Sequence, residues 1–294
     1  MEKGTLPNYN IEKFKHLGNE QDFYANKFSD HLKQHGFISN PHRHDFFLVA
    51  LCTRGSGTHW VDFIQYDVKP GTIFMLSPGQ GHTWVLSDDI DGYVFFHTRD
   101  FFELNFSFRK LQDYPFYCSI YNSPTIMLSN NSLQKECAIF EEIIQEYRNQ
   151  YLMKFSRIFV LVELLYIDLV RLYLPIEQID KQNQNYLIKL RKLEDLIDAN
   201  FKSLKSPSQY ADMMFVSVKQ LNRICKECLD KSTSDLIIDR VMLEAKRMLI
   251  YSTYSISQIA EQMGYTDISY FSRLFKKKSG KTPAEFIKVY GATF

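Results

Sequence analysis

The segment Ala260–Gly280, AEQMGYTDISYFSRLFKKKSG, decides how the last third of the chain is read. Ala260 is small enough for one helix to lie close against another, and Gly264 supplies the positive φ that a tight inter-helix turn needs. Asp267 then caps the next helix by accepting from its free N–H groups. Along that helix Phe271, Leu274 and Phe275 are spaced to bury one face. The other face carries Ile268, Ser269, Ser272 and Arg273, with Lys276 and Lys277 further on. Taken alone, the segment fits either a solvated face of a bundle helix or a helix shaped for a DNA major groove. In a groove an Arg bonds guanine bidentately and an Ile touches a thymine methyl.

Sliding the sequence on itself separates the two readings. Ala211 falls opposite Ala260, Ser217 opposite Asp267, Leu221 opposite Phe271 and Arg223 opposite Arg273. Lys226 matches Lys276, Asp230 matches Gly280 and Leu236 matches Phe286, with an offset of 49 before the turn and 50 after it. In the first copy Ser217 is the cap, Leu221 and Ile224 point inward, and Lys219, Asn222 and Arg223 point outward. Phe215 stands where the turn glycine belongs. A bulky side chain resists positive φ, so that turn is expected to be rebuilt or more tightly packed. A long helix over about 235–250 joins the copies, and Pro207 and Pro283 fall at first-turn positions of helices.

The run from Ile238 to Phe286 resembles the C-terminal DNA-binding domain of the AraC/XylS family of bacterial transcription regulators. The marks are Ala245-Lys246-Arg247-Met248-Leu249, Ile259-Ala260, Gly264-Tyr265, the run Phe271-Ser272-Arg273-Leu274-Phe275-Lys276, and Gly280-x-Thr282-Pro283. The likeness covers about residues 186–291. It implies two helix-turn-helix units whose second helices enter successive major-groove segments of double-stranded promoter DNA, about one helical turn apart. Base reading then falls to Lys219, Asn222 and Arg223 in the first unit, and to Ile268, Ser269, Ser272 and Arg273 in the second. Lys276 and Lys277 are expected on phosphate. A homodimer is also implied, and an RNA polymerase contact if the regulator is an activator.

The charge distribution agrees. Residues 1–184 carry a net charge of −5 and residues 185–294 a net charge of +6, within an overall +1. A polyanion partner is therefore expected for the second half alone.

The first half has a different period. From Phe37 to Phe102 short β-branched and aromatic runs, FFLVALCTRG, THWVDFIQYDVKPG, TIFMLSPG, HTWVLS and GYVFFHT, are broken by Gly, Pro and Asp. They predict strands of a sandwich or barrel. Three-and-four spacing over Leu133–Tyr147 and Phe155–Leu172 predicts two helices, the second ended by Pro175.

His42-x-His44 and the later Gly71 with Ser77-Pro78-Gly79-Gln80-Gly81-His82 look like the paired motifs of cupins, and like the sensor barrel of the same regulators. His42 and His44 share a strand face with Phe46 and Leu48. Three histidines converging in a small barrel suit a metal, a ligand contact or a satisfied core. Leu48 and Val49 stand where an enzyme-type cupin has its glutamate, and Leu86 replaces the later Asn, so no metal and no cofactor are expected. Ligand contact is assigned to His42, His44 and His82, and by family position to Trp84 and Tyr93, an aromatic pair able to stack on a small molecule.

The expected fold is multidomain α and β. A cupin-like sensing barrel spans 1–128, a helical dimerisation segment 129–175, a linker 176–185, and an all-α domain of two helix-turn-helix units 186–294. The expected protein is a cytoplasmic transcription regulator, not an enzyme, with a possible small-molecule effector. The alternative is a cupin-type metal-dependent enzyme fused to a helical domain. The five cysteines form no double pair, and the Cys225-x-x-Cys228 pair sits in a helical pattern with Cys225 at a core position. Residues 1–18 have no apolar core typical of a signal peptide. Glu163, Asp168 and Arg171 interrupt the most apolar segment, so no membrane span is expected.

Overall fold

Runs such as FLVALC and TIFML lack the alternation of a half-buried strand, and the topology supplies the reason. In the computed structural model the described residues are 6–14, 22–36, 40–104, 110–173 and 181–291. The strands are β1 (Asn8–Tyr9), β2 (Phe23–Lys27), β3 (Arg43–His44), β4 (Phe47–Arg54), β5 (Gly57–Val61), β6 (Ile64–Val68), β7 (Thr72–Leu76), β8 (His82–Leu86), β9 (Asp91–His97) and β10 (Thr125–Met127). Their order is β10-β7-β4-β9-β2 in a five-stranded sheet and β6-β5-β8 in a three-stranded sheet, with β1 and β3 paired separately.

The five-stranded sheet is covered on both faces. One face turns Tyr24, Leu48, Ala50, Phe74, Leu76, Val94 and Phe96 toward a core shared with Val61, Val68 and Trp84 of the smaller sheet. The other turns Phe23, Phe47, Val49, Leu51, Ile73, Met75 and Phe95 against two helices. A strand buried on both faces has no polar side to show, hence the unbroken runs. The smaller sheet keeps one wet face, and β6 is mostly exposed.

The run THWVDFIQYDVKPG is a hairpin, β5 and β6, rather than one stretch. Its turn is Asp62 and Phe63, at φ 45° and 73°. A two-residue hairpin favours positive φ, but here no glycine marks it, so the sequence signal is weak.

The short helices α1 (Phe28–Gln34), α2 (Arg99–Glu103) and α3 (Pro115–Cys118) precede the long α4 (Asn130–Arg148) and α5 (Lys154–Tyr173). Ser129 caps α4 through the Ser132 N–H. Ile139, Phe140 and Ile143 of α4 and Ile158, Val162, Leu165 and Leu169 of α5 close the outer face of the larger sheet.

Contacts divide the chain into one unit of Pro7–Ile176 and another of Glu177–Phe294 with Met1–Leu6. Pro175 and residues 176–180 of the expected linker lie outside the described residues. Residues 181–185 belong to a helix, α6 (Lys181–Asn200). It is followed by α7 (Pro207–Met213), α8 (Val218–Leu229), α9 (Thr233–Tyr251), α10 (Ile256–Gln262), α11 (Ile268–Ser279) and α12 (Pro283–Tyr290). Helix α9 touches each of the other six and is the spine of this unit. Its buried side is Leu236, Ile237, Val241, Met242, Ala245 and Leu249. Among the described residues no helix is long and apolar enough to cross a membrane.

Candidate nucleic-acid interface and ligand cavity

The internal repeat is a repeat of hydrogen bonds. Ser206 with Gln209 and Ser255 with Gln258 form equivalent capping boxes at α7 and α10. The Val216 N–H donates to Ala211 O at 3.0 Å, and the Tyr265 N–H to Ala260 O at 2.9 Å. Ala211 and Ala260 are buried, leaving room for the second helix of each unit. Ser217 accepts from the Gln220 N–H to cap α8, and Asp267 accepts from the Tyr270 N–H to cap α11. The helices end alike, at Asp230 and Gly280, both left-handed. Ser232 and Thr282 then begin the next helices with capping boxes of their own. Such boxes satisfy end N–H groups that would otherwise lack partners.

The first turn is not rebuilt, contrary to the expectation from Phe215. Phe215 takes φ 55° where Gly264 takes 79°. Its ring is 93% exposed, so no packing opposes the strained backbone at that position. Gly264 has a second reason to be glycine: a Cβ there would stand 2.3 Å from the Lys202 carbonyl oxygen.

On α11 the expected reading residues Ile268, Ser269 and Arg273 are exposed and Ser272 is half-buried, while Phe271 and Phe275 are buried. Leu274 is only half-buried. Lys276 and Lys277 are exposed, but Lys278 turns inward to Asp235 and Asp239 at 2.8 and 2.9 Å. Hydrogen bonds from Lys278 and Ser232 hold the Asp235 carboxyl well below the usual carboxylate range.

On α8 Lys219 and Arg223 are exposed. The Arg223 guanidinium lies over the Tyr186 ring, 5.9 Å from its centroid, a cation–π distance. Asn222, also expected to read bases, has its side-chain oxygen engaged within the protein. It is half-buried, and its Oδ1 accepts the Thr233 N–H at 3.0 Å. The repeat explains why: Thr233 corresponds to Pro283, which has no N–H. Asn222 therefore meets a need that its counterpart Ser272 does not have. Cys225 is buried and near Thr233, and both Cys225 and Cys228 are free thiols.

In the barrel unit a cavity between the sheets is lined by His31, His42, His44, His82, Trp84 and aromatic rings including Phe14, Phe28, Phe46 and Phe96. Four of the five expected ligand residues meet there. The fifth, Tyr93, does not. Alternation along β9 turns Val94 and Phe96 inward and Tyr93 outward. Tyr93 stacks on Phe140 of α4 at 5.5 Å and donates to Glu141 Oε1 at 2.6 Å. Matching by family position overrode this two-residue alternation. Reading the sequence also passed over His31, Phe14 and Phe28, which come from segments ahead of the recognised strands, and His59, stacked on Trp84. Each was a lone residue with no motif around it.

Burial lowers the pKa of these histidines, to about 3 for His31 and His44 and well below the ordinary value for His59 and His82. An imidazolium cannot be solvated in so apolar a setting, so the rings are neutral. Among the described residues no three His, Cys, Asp or Glu side chains are arranged to hold a metal ion.

These two sites match two family models: an AraC-like ligand binding domain over residues 27–106 and a helix-turn-helix domain over residues 210–288. The chain is 22% identical to the HTH-type transcriptional activator RhaR of Cronobacter sakazakii over 282 residues, 92% of this chain and 95% of that one. It is 21% identical to the HTH-type transcriptional activator RhaS of Escherichia fergusonii, across 83% of this chain and 86% of the relative. A solved structure of ToxT from Vibrio cholerae aligns with 90% of this chain and 98% of its own at 15% identity, with a TM-score of 0.44. A sheet-rich ligand-binding domain followed by paired helix-turn-helix units identifies the chain as a member of the AraC/XylS family, a DNA-binding transcription regulator with a small-molecule sensing domain.

Proposed function

We propose that the chain acts as a cytoplasmic homodimer that activates transcription, reading promoter DNA with α8 and α11 in consecutive major-groove segments. The observation that carries this reading is the twice-built cap, turn and polar helix face. Arg273, Ile268, Ser269 and Ser272 read bases in the second unit, Lys219 and Arg223 in the first, and Lys276 and Lys277 hold phosphate. Short polar groups and an Arg near a helix N-terminus suit base edges in the groove. RhaR and RhaS are named as activators, which supports the same direction here and a contact with RNA polymerase.

The effector enters the barrel cavity among His42, His44, His82 and Trp84. Dimerisation uses the outward stripe of α5, where Val160 and Leu164 are exposed while the opposite face is spent on the sheet. An effector that prefers one arrangement of the dimer shifts which half-sites the dimer spans.

The test is fluorescence anisotropy with duplexes from the chain's own promoter region against scrambled duplexes of equal length. Specific binding that weakens steeply between about 50 and 200 mM salt is expected. Equal affinity for both duplexes at every salt concentration would refute sequence-specific reading.

A further inference from the structure

We propose that the barrel cavity takes a ligand's hydroxyl or amine head group, a hydrogen-bond donor without negative charge, on the Nε2 atoms of His42, His44 and His82. This rests on the reading of the barrel as the effector site and names the chemistry that the site selects.

The argument begins with where each ring carries its proton. His44 Nδ1 lies 2.7 Å from the Phe46 carbonyl oxygen, and His42 Nδ1 lies 2.8 Å from the Asn40 carbonyl oxygen. A carbonyl oxygen only accepts, so Nδ1 holds the hydrogen in both rings. A neutral ring has one N–H, which leaves Nε2 of each as a bare lone pair. Among the described residues the buried Nε2 atoms of His44 and His82 meet no hydrogen-bond partner. Leaving such a group unmatched is unfavourable, and an arriving donor removes that penalty.

His82 is adjustable. Its Nδ1 lies 3.0 Å from His59 Nε2, and the two rings share one proton along that line. If His59 donates, His82 carries its hydrogen on Nε2 and can donate to a ligand. If His82 donates, its Nε2 becomes a third lone pair. The His82 ring centroid lies 4.3 Å from that of His42 and 5.1 Å from that of His44, and all three rings line the same small cavity. A hydroxyl group fits the first arrangement, accepting from His82 and donating to His42 or His44. An amine, entering as the neutral base with two N–H groups, fits the second arrangement.

An anion meets the opposite conditions. Among the described residues no Lys or Arg lines the cavity, and an anionic oxygen would face the lone pairs of His42 and His44. Protonating His44 to receive it opposes the burial that pushes its pKa to about 3. The space in this packing holds about one water-sized group, so the cavity takes the head group rather than a whole ring.

The experiment uses the whole chain labelled with 15N-histidine and three probes small enough for that space: methanol, methylamine and formate. In the free protein the His42 and His44 Nε2 signals are expected at unprotonated shifts. Methanol or methylamine is expected to move them, formate to leave them unchanged, and His44→Phe to weaken the response about tenfold. A protonated His44 Nε2 in the free protein, or formate moving the same signals as strongly, overturns the head-group assignment and leaves the sensing role standing. Unprotonated Nε2 shifts that no probe moves overturn both. The tautomer readout needs no variant, so it decides even if His44→Phe fails to fold.

Discussion

The two helix-turn-helix units share caps, hydrogen bonds and buried alanines, yet they spend their polar groups differently. In the first, the Asn222 carbonyl oxygen serves the start of α9, Lys226 pairs with Asp230, and Arg223 lies over Tyr186. In the second, Pro283 asks nothing of Ser272, and Gly280 replaces the acid beside Lys276. The first unit invests in its own architecture and the second presents its side chains outward. We infer from this contrast that discrimination between DNA sequences comes mainly from α11.

The largest expected effects are the ones that the two units share. Ala260→Glu and Ala211→Glu each force a charge into a closed helix contact, and each should unfold its unit. Circular dichroism and DNA binding of the full chain check this; a fully helical, DNA-competent variant would contradict the placement. Glycine separates the units. Gly264→Val combines a β-branched residue at φ 79° with a Cβ against the Lys202 carbonyl, and should cost about 3 kcal/mol or more. Phe215→Val keeps the strain that the site already tolerates, without that clash, and should cost far less. Thermal unfolding of the two variants side by side gives the difference, and equal losses would remove the contrast.

At the interface Arg273→Ala should weaken binding to the cognate duplex by about 1–3 kcal/mol with the fold intact, and relax specificity at one base position. Arg223→Ala should cost less, because its guanidinium already has an aromatic partner. Anisotropy titrations against single-base variants of the site measure both. A larger loss for Arg223 would reverse the division of labour.

How much of this was legible in the sequence depends on whether a feature is local. Caps, small residues and the buried face of α11 were readable, because a helix end needs certain residue types within four positions. The double-covered sheet was readable as strands, since its apolar runs follow from burial on both faces. The bond that engages the Asn222 oxygen is not legible locally, because its partner, Thr233, lies eleven residues away in the next helix. Its sequence signal is Pro283 at the equivalent position of the second unit, which has no N–H to satisfy. Tyr93 was misplaced because β9 is apolar on both sides, so the identities of its neighbours do not reveal which residues face inward. Phe14, Phe28 and His31 reach the cavity from segments without periodicity, and no local rule marks them.

Lysines give a finer contrast. Lys276→Ala should reduce the slope of log affinity against log salt by about one, the signature of a lost phosphate contact. Lys226→Ala should change it less, since Asp230 already neutralises that charge. Affinities at three or more salt concentrations separate the slopes, and equal slopes would show that Asp230 is displaced on binding.

The smallest effect belongs to Phe215. A non-glycine residue in the left-handed region carries about 1–2 kcal/mol of strain, and a ring 93% exposed recovers little of it by packing. Phe215→Gly removes that strain but frees the unfolded chain, which costs about 0.5–1 kcal/mol. The net expectation is a gain of about 0.5–1 kcal/mol, localised to the first unit. Hydrogen exchange of the α7 and α8 amides reads it directly, because slower exchange there with unchanged α10 and α11 assigns the gain to the turn. Faster exchange would mean that the exposed ring has a stabilising contact, and the first unit would then be as fully built as the second.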